Sequence, residues 1–168
     1  ELEESPVVPG IYWVGTDDGN LQVSRDGGGS WTEVGKGLPV KNKETYISGI
    51  EASKFDAATA YVALDGHRDN DHAPYIFKTT DYGKTWTRLT DGKNGIAADE
   101  PTRVVREDPD REGLLYAGTE FGMYISFDNG AHWQSFQLNM PRVPINDIKV
   151  HQKDLVIATQ GRAMWIFD

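Results

Sequence analysis

The densest group of chemically active side chains lies between Asp65 and His72. This stretch, Asp-Gly-His-Arg-Asp-Asn-Asp-His, holds two His, three Asp and one Arg within eight residues. Imidazole and carboxylate groups bind zinc and other divalent ions, so a metal site is one interpretation. A loop that contacts carboxylates or sugars is a second, and a solvated loop tip is the third. The candidate residues are Asp65, His67, Arg68, Asp69 and His72.

Four further polar residues could act with this loop. Asp17, Asp18, Glu120 and Arg162 each follow a short apolar run and lie in a turn. A glycosidase needs two carboxyl groups about 5–5.5 Å apart for retention, or about 6.5–9.5 Å for inversion. Asp17, Asp18, Asp65 and Glu120 could supply such a pair, so both a glycosidase and a non-catalytic binding face remain open.

One octad, Ser/Thr-x-Asp-x-Gly-x-x-Trp, occurs three times and organises the whole chain. Motifs that recur about every 50 residues along a chain are typical of solenoids and propellers. An Asp in a turn accepts backbone N–H bonds, a neighbouring Ser or Thr hydroxyl joins it, and Gly allows positive φ. We therefore interpret the octad as structural, rather than as a calcium site or a set of catalytic acids. Its members are Ser24, Asp26, Gly28, Trp31, Thr79, Asp81, Gly83, Trp86, Ser126, Asp128, Gly130 and Trp133.

Short β-type runs surround each octad and predict four strands per unit, A to D, with the octad in the C–D turn. Such units are the blades of an all-β propeller of four-stranded antiparallel sheets. The blades span approximately 11–35, 46–90, 102–137 and 145–168, within one partial propeller domain, 1–168. By this pattern, the first unit lacks strand A and the last unit lacks strand D. The sequence thus predicts two complete and two incomplete blades.

The blade pattern also assigns side chains to faces. The B–C turns and D–A connections share one face of a propeller, and the nine candidate residues named above belong to its B–C turns. Glu107 and Asp108 belong to an A–B turn on the opposite face, where we expect a solvated turn. Four aromatic residues within strands are expected to pack between blades: Trp13, Phe77, Tyr124 and Trp165.

The octads, with the stretches 14–19, 78–86 and 103–109, resemble the Asp-box, or bacterial neuraminidase, repeat of secreted bacterial proteins. This family includes sialidases, xyloglucan-directed glycosidases, sortilin-type receptors and photosystem assembly factors. The resemblance implies a propeller with its Asp boxes at the periphery, away from the ligand face. It implies no catalytic residue here, because the Arg-Ile-Pro motif of sialidases is absent.

Composition limits the partners. The formal charge is -9, from 17 basic and 26 acidic residues, which disfavours nucleic acid. No apolar run is long enough for a membrane span. The chain has no Cys, which is consistent with a secreted or periplasmic protein. Its incomplete blades are expected to be completed by missing sequence, by a second chain or by self-association.

Two functions remain at this point. The first is a non-catalytic binding or scaffold module that engages a glycan or a peptide on the B–C/D–A face. The second is a fragment of a glycoside hydrolase whose catalytic residues lie partly outside this chain. No cofactor is expected, apart from the divalent metal considered for residues 65–72.

Overall fold

The computed structural model describes residues 1–168 as four antiparallel β-sheets that follow one another along the chain. The first contains β1 (Leu2–Glu4), β2 (Tyr12–Gly15), β3 (Leu21–Ser24) and β4 (Thr32–Glu33). The second contains β5 (Tyr46–Ala52), β6 (Ala60–Asp65), β7 (Tyr75–Thr79) and β8 (Thr87–Arg88). The third contains β9 (Thr102–Glu107), β10 (Leu115–Thr119), β11 (Met123–Ser126) and β12 (Gln134–Ser135). The fourth contains β13 (Ile145–His151), β14 (Asp154–Thr159) and β15 (Met164–Phe167).

Each sheet is a blade whose strands pair in chain order. The first strands of the blades, β1, β5, β9 and β13, lie side by side around a common axis, and the later strands lie progressively outward. The predicted all-β partial propeller is therefore confirmed. Helix is limited to two 3-10 turns, Gly35–Gly37 and His67–Asp69, and no helix is long and apolar enough to cross a membrane.

The first blade corrects the predicted strand count. The sequence pattern assigned it no strand A, but Leu2, Glu3 and Glu4 pair with Val14, Trp13 and Tyr12. The pattern missed this strand because it is short, mostly charged, and held by backbone pairing; Leu2 is 62% exposed. The chain therefore has three complete blades and one three-stranded blade, rather than two complete and two incomplete ones.

Apolar side chains fill the spaces between consecutive blades. Trp13 and Phe77 are fully buried between the first two blades, and Trp13 meets Trp86 edge-to-face at 6.5 Å between ring centroids. Tyr124 and Trp165 are half-buried against the next two clusters. Because each cluster is built from two neighbouring blades, the core is a series of interfaces around the axis.

All three octads form the same hydrogen-bonded turn. In the second, Asp81 Oδ1 accepts bonds from Thr79 Oγ1 at 2.8 Å and from the Thr85 N–H at 2.9 Å. The Gly83 N–H donates to Thr79 Oγ1 at 2.8 Å. The same bonds recur around Asp26 and Asp128. The carboxylate thus closes the turn between the third and fourth strands of its blade.

Three of the four inner strands carry a β-bulge at an equivalent place. The pairing register shifts between Ile47 and Gly49, between Thr102 and Val104, and between Ile145 and Asp147. The residues left unpaired are Ser48, Arg103 and Asn146. A bulge re-aims its side chain, so these three positions depart from the regular alternation of their strands.

Candidate functional site

The candidate site begins at Asp65, the last residue of β6, which is only 5% exposed. The 3-10 turn after it folds the loop back, and the chain leaves that turn through Asn70 at a φ of 59°. Asp65 Oδ1 accepts a bond from the His67 N–H at 3.1 Å and lies 2.8 Å from His67 Nδ1. The loop therefore holds an imidazole beside a buried carboxylate.

Arg103, the bulge residue of β9, joins three blades at this face. Its Nε lies 3.9 Å from Asp65 Oδ2 of the second blade, and its Nη2 lies 2.6 Å from Glu120 Oε2 of its own blade. The Glu120 contact is an ion pair without the alignment of a hydrogen bond. Arg103 Nη1 donates to Asn146 Oδ1 at 2.6 Å and Gln160 Oε1 at 3.2 Å, both in the fourth blade. Because β9 lies between β5 and β13, the Arg103 guanidinium contacts side chains of the second, third and fourth blades.

Several of these groups line an open cavity of about 260 Å³. Its wall includes the three bulge residues together with the Asp65–His67 pair. The Arg68 guanidinium lies 5.4 Å from the centroid of the Tyr46 ring, which adds an aromatic face. The lining residues are Tyr46, Ser48, Asp65, His67, Arg68, Arg103 and Asn146. The cavity thus presents an aromatic ring beside donors and acceptors of hydrogen bonds.

The structure brings together only some of the nine candidate residues. Asp65, His67 and Arg68 line the cavity, and Glu120 joins them through Arg103. Asp69 Oδ2 instead accepts a bond from Asn42 Nδ2 at 3.1 Å, and exposed His72 pairs with Asn70 at 3.2 Å.

The remaining three of the nine candidates also lie outside this group. Asp17 and Asp18 lie at an exposed turn tip of the first blade, where a hydrogen bond from the Thr16 hydroxyl lowers the pKa of Asp18. Arg162 is exposed in the fourth blade. The site is therefore centred on the second and third blades rather than spread over every B–C turn.

Sequence reasoning placed no inner-strand residue in this site. Ser48, Arg103 and Asn146 were missed because a bulge is invisible in a period-two pattern of apolar and polar residues. Aligning the starts of β5, β9 and β13 would have been the usable signal, because each bulge residue follows the first or second residue of its strand in the same way.

The opposite ends of the inner strands hold a second polar cluster. Glu107, predicted to lie in a solvated turn, is 1% exposed at the end of β9, so that prediction is wrong. It accepts bonds from the Ser53 hydroxyl at 2.8 Å and the Tyr61 hydroxyl at 3.1 Å because the second blade packs over it. Glu51 Oε2 in turn accepts the Glu107 N–H at 2.9 Å and a Lys54 Nζ bond at 3.1 Å.

This second cluster borders a cavity of about 390 Å³ and links blades to one another. Arg106 donates to the carbonyls of Ile148 at 2.9 Å and Ile50 at 3.0 Å, in the blades on either side. Burial raises the pKa of both Glu51 and Glu3 above the ordinary value for Glu. Since most groups here are satisfied across blade boundaries, we assign this end to blade association.

Nowhere in residues 1–168 do three His, Asp or Glu side chains converge to hold a metal ion. His67 and His72, the two imidazoles of the loop, each pair with a neighbour two residues away. Metal binding by residues 65–72 stays a prediction, which metal analysis of protein purified without added metal would test.

Known proteins similar to this chain are propellers of several kinds. No protein family model matches the chain. A probable oligoxyloglucan-reducing end-specific xyloglucanase of Neosartorya fischeri is 34% identical over 62 residues, which are 36% of this chain and 8% of that protein.

Solved structures match nearly the whole chain at low identity. A GH74 enzyme from Niastella koreensis matches 98% of this chain and 27% of its own, with a TM-score of 0.76 and 17% identity. YCF48 bound to D1 peptide matches 100% of this chain and 55% of its own, with a TM-score of 0.66 and 17% identity. The extracellular domain of BT3049 from B. thetaiotaomicron matches 100% of this chain and 20% of its own, with a TM-score of 0.67 and 18% identity.

The fold and these likenesses define the chain as a β-propeller module. It spans about half or less of the length of each of these proteins. At such identities the solved structures establish the fold alone.

Proposed function

We propose that this chain is a non-catalytic binding module of a secreted or periplasmic protein and that it holds a glycan on its B–C/D–A face. One observation carries the proposal. Bulges at the same place in three consecutive inner strands direct Ser48, Arg103 and Asn146 to one cavity. A hydroxyl, a guanidinium and an amide at fixed positions suit a ligand rich in hydroxyl groups, and Tyr46 offers a ring face.

The charges around the cavity favour binding over catalysis. Asp65 and Glu120 both contact the Arg103 guanidinium, so both carboxyl groups already have a cationic partner within the chain. The fold likeness to GH74 enzymes and the partial likeness to a xyloglucanase support a saccharide as the ligand. The extracellular domain among the similar structures supports a location outside the cytoplasm.

Calorimetric titration with xyloglucan oligosaccharides tests the proposal. Asn146→Ala removes an exposed amide from the cavity and Tyr46→Ala removes the ring. We expect each to weaken binding about fivefold or more, because a hydrogen bond contributes about 1 kcal/mol and an aromatic contact about as much. Lys84→Ala, an exposed change in the octad turn on the opposite face, is the matched control and should leave affinity unchanged.

The outcomes separate the ligand classes. Absence of saturable binding to any saccharide would reject the glycan. Binding of an extended peptide, with the same loss in both cavity variants, would keep the face but change the ligand to a peptide. Equal loss in the Lys84 variant would show that the effect is not local to the cavity.

A glycoside hydrolase remains the second candidate because Asp65 and Glu120 lie around one guanidinium and are therefore near each other. That function predicts turnover of chromogenic glycosides or xyloglucan oligosaccharides that Glu120→Gln and Asp65→Asn abolish. Asp17→Asn, at an exposed turn tip of the first blade, should then leave turnover intact. Binding without turnover favours the first proposal.

A further inference from the structure

The second octad, in the second blade, contacts the outer edge of the first blade. Trp86 Nε1 donates a hydrogen bond to the Val34 carbonyl, just after β4, at 3.0 Å. Gly83 has a φ of 83°, and a Cβ built on it would lie 2.7 Å from Val34 Cβ. The missing side chain of Gly83 thus makes room for Val34. We call the space between the octad Gly and the octad Trp the octad pocket.

The third octad repeats this contact with different residues. Trp133 Nε1 donates to the Leu89 carbonyl at 3.0 Å, and a Cβ built on Gly130 would lie 2.8 Å from Leu89 Cδ1. Val34 and Leu89 are equivalent, because each follows its outer strand and donates its N–H, at 2.8 Å, to a carbonyl near the start of the third strand, that of Leu21 and of Ile76 respectively. An octad pocket therefore receives an aliphatic side chain and its carbonyl from the outer edge of another blade.

The first octad has the same residues and no neighbour. The only atom within 4 Å of a Cβ built on Gly28 is Trp31 Cζ2, at 3.9 Å. Trp31 is 42% exposed, whereas Trp133 is 4% exposed. An open cavity of about 210 Å³ lies beside it, lined by Val14, Thr16, Asn20, Gln22 and Trp31.

The rest of this surface also matches an inter-blade face. By strand register, Val14 and Gln22 are the counterparts of Val62 and Phe77, which are fully buried between the first and second blades. The sheet thus exposes on its first blade the surface that later blades bury. Gln22 in place of an aromatic ring makes this face more polar than the interior ones, so an incoming partner needs hydrogen-bonding groups as well as apolar ones.

We propose that the Trp31 face, formed by Val14, Gln22, Gly28 and Trp31, is a docking surface for the outer edge of a further four-stranded blade. That blade seats a Val or Leu in the octad pocket of Gly28 and Trp31, and its carbonyl accepts the indole N–H. The surface continues an interface that the chain already uses twice. A second copy fits less well, because its Val34 and Leu89 are occupied and its Phe136 packs in the third core cluster.

The test adds such a blade to the 168-residue chain. Residues 46–101 are duplicated directly ahead of residue 1, so that the copied Leu89 leads into β1 as the natural Leu89 leads into β9. Tryptophan oxidation is followed by mass spectrometry in the natural and extended chains. Trp31 should lose its reactivity on extension and match the buried Trp133. Trp31→Phe keeps an aromatic ring but removes the indole N–H donor, so it should destabilise the extended chain more than the natural one.

Phe127→Ala is the matched control, because Phe127 is 52% exposed in the third octad and lies outside the pocket. It should have equal effects on the stability of both chains. Unchanged reactivity of Trp31 in the extended chain would overturn the proposal. So would failure of the added residues to fold against the chain, since their own Leu89 is the proposed occupant. Protection of Trp31 in the natural chain that increases with concentration would instead identify a second copy as the partner.

Discussion

At the scale of residues, buried and turn carboxylates behave in opposite ways. The octad carboxylates accept several hydrogen bonds, which hold the pKa of Asp26 at about 2, chiefly through the Ser30 hydroxyl, and that of Asp128 at about 2, chiefly through His132. Glu51 is enclosed by neighbouring blades, and burial raises its pKa. Hydrogen bonds favour the charged form and burial opposes it, so the two groups give different pH dependences of stability.

Asp81→Ala should lower the melting temperature near neutral pH. The Thr85 backbone N–H is the main cause that lowers the pKa of Asp81 in the folded state. A lowered folded-state pKa stabilises the fold above the unfolded value, about 4, and this stabilisation disappears as pH falls through the folded-state pKa. The difference in melting temperature between variant and parent should therefore shrink in acid. Ligand affinity should not change in this variant. Equal melting temperatures of variant and parent at neutral pH would show that the octad carboxylate is not structural.

Glu51→Gln should change stability relative to the parent with pH in the direction opposite to that of Asp81→Ala. Because the folded-state pKa of Glu51 is raised, ionisation costs the parent stability at pH values above that pKa, and protonation in acid removes the cost. The stability of the Gln variant relative to the parent should rise with pH in urea denaturation. A relative stability that falls with pH would contradict the assigned cause.

At the scale of elements, the octad turn and the bulged inner strand have separate tasks. The octad turns lie at the outer edges and join each blade to its predecessor through Trp86 and Trp133. The inner strands carry at their starts the residues that form the cavity, Ser48, Arg103 and Asn146. Positions that join the blades and positions that line the cavity therefore occupy different strands of the same blade.

Trp133→Ala and Trp31→Ala form a matched pair, because the two residues occupy the same octad position. Trp133 is buried against the second blade, and its truncation should cost about 3–5 kcal/mol of unfolding free energy. Trp31 has no blade against it, and its truncation should change stability by about 0.5 kcal/mol or less. Equal losses in urea denaturation would show that the octad Trp acts within its own turn.

At the scale of the molecule, two arginines on β9 hold the blades together at the two ends of the inner strands. Arg103 contacts the second, third and fourth blades at one end, and Arg106 contacts the second and fourth at the other. In the fourth blade the outermost strand is β15, where Met164 is 70% and Ile166 is 63% exposed. An exposed apolar sheet face with an unpaired edge strand favours association.

We expect the chain to associate through this last sheet as its concentration rises. The double change Met164→Lys and Ile166→Lys places charge on the exposed face and should keep the chain monomeric without loss of strand content. Sedimentation velocity over a range of concentrations measures the effect, and Leu2→Lys on β1 is the control. A parent chain that stays monomeric throughout would contradict the expectation.

The octads and the β-type runs around them were enough to predict the fold. Asp, Gly and Trp at fixed spacing specify a local turn, and its recurrence marks three of the four blades without knowledge of distant contacts. Strand β1 was not predicted, because backbone pairing rather than a side-chain pattern holds Leu2–Glu4 in place. The site was only half visible: Asp65 and His67 are sequence neighbours, so their pairing is local. Arg103 and Asn146 join them only in the tertiary structure, because the bulges that aim them arise from pairing between strands and the cavity lies where three blades meet.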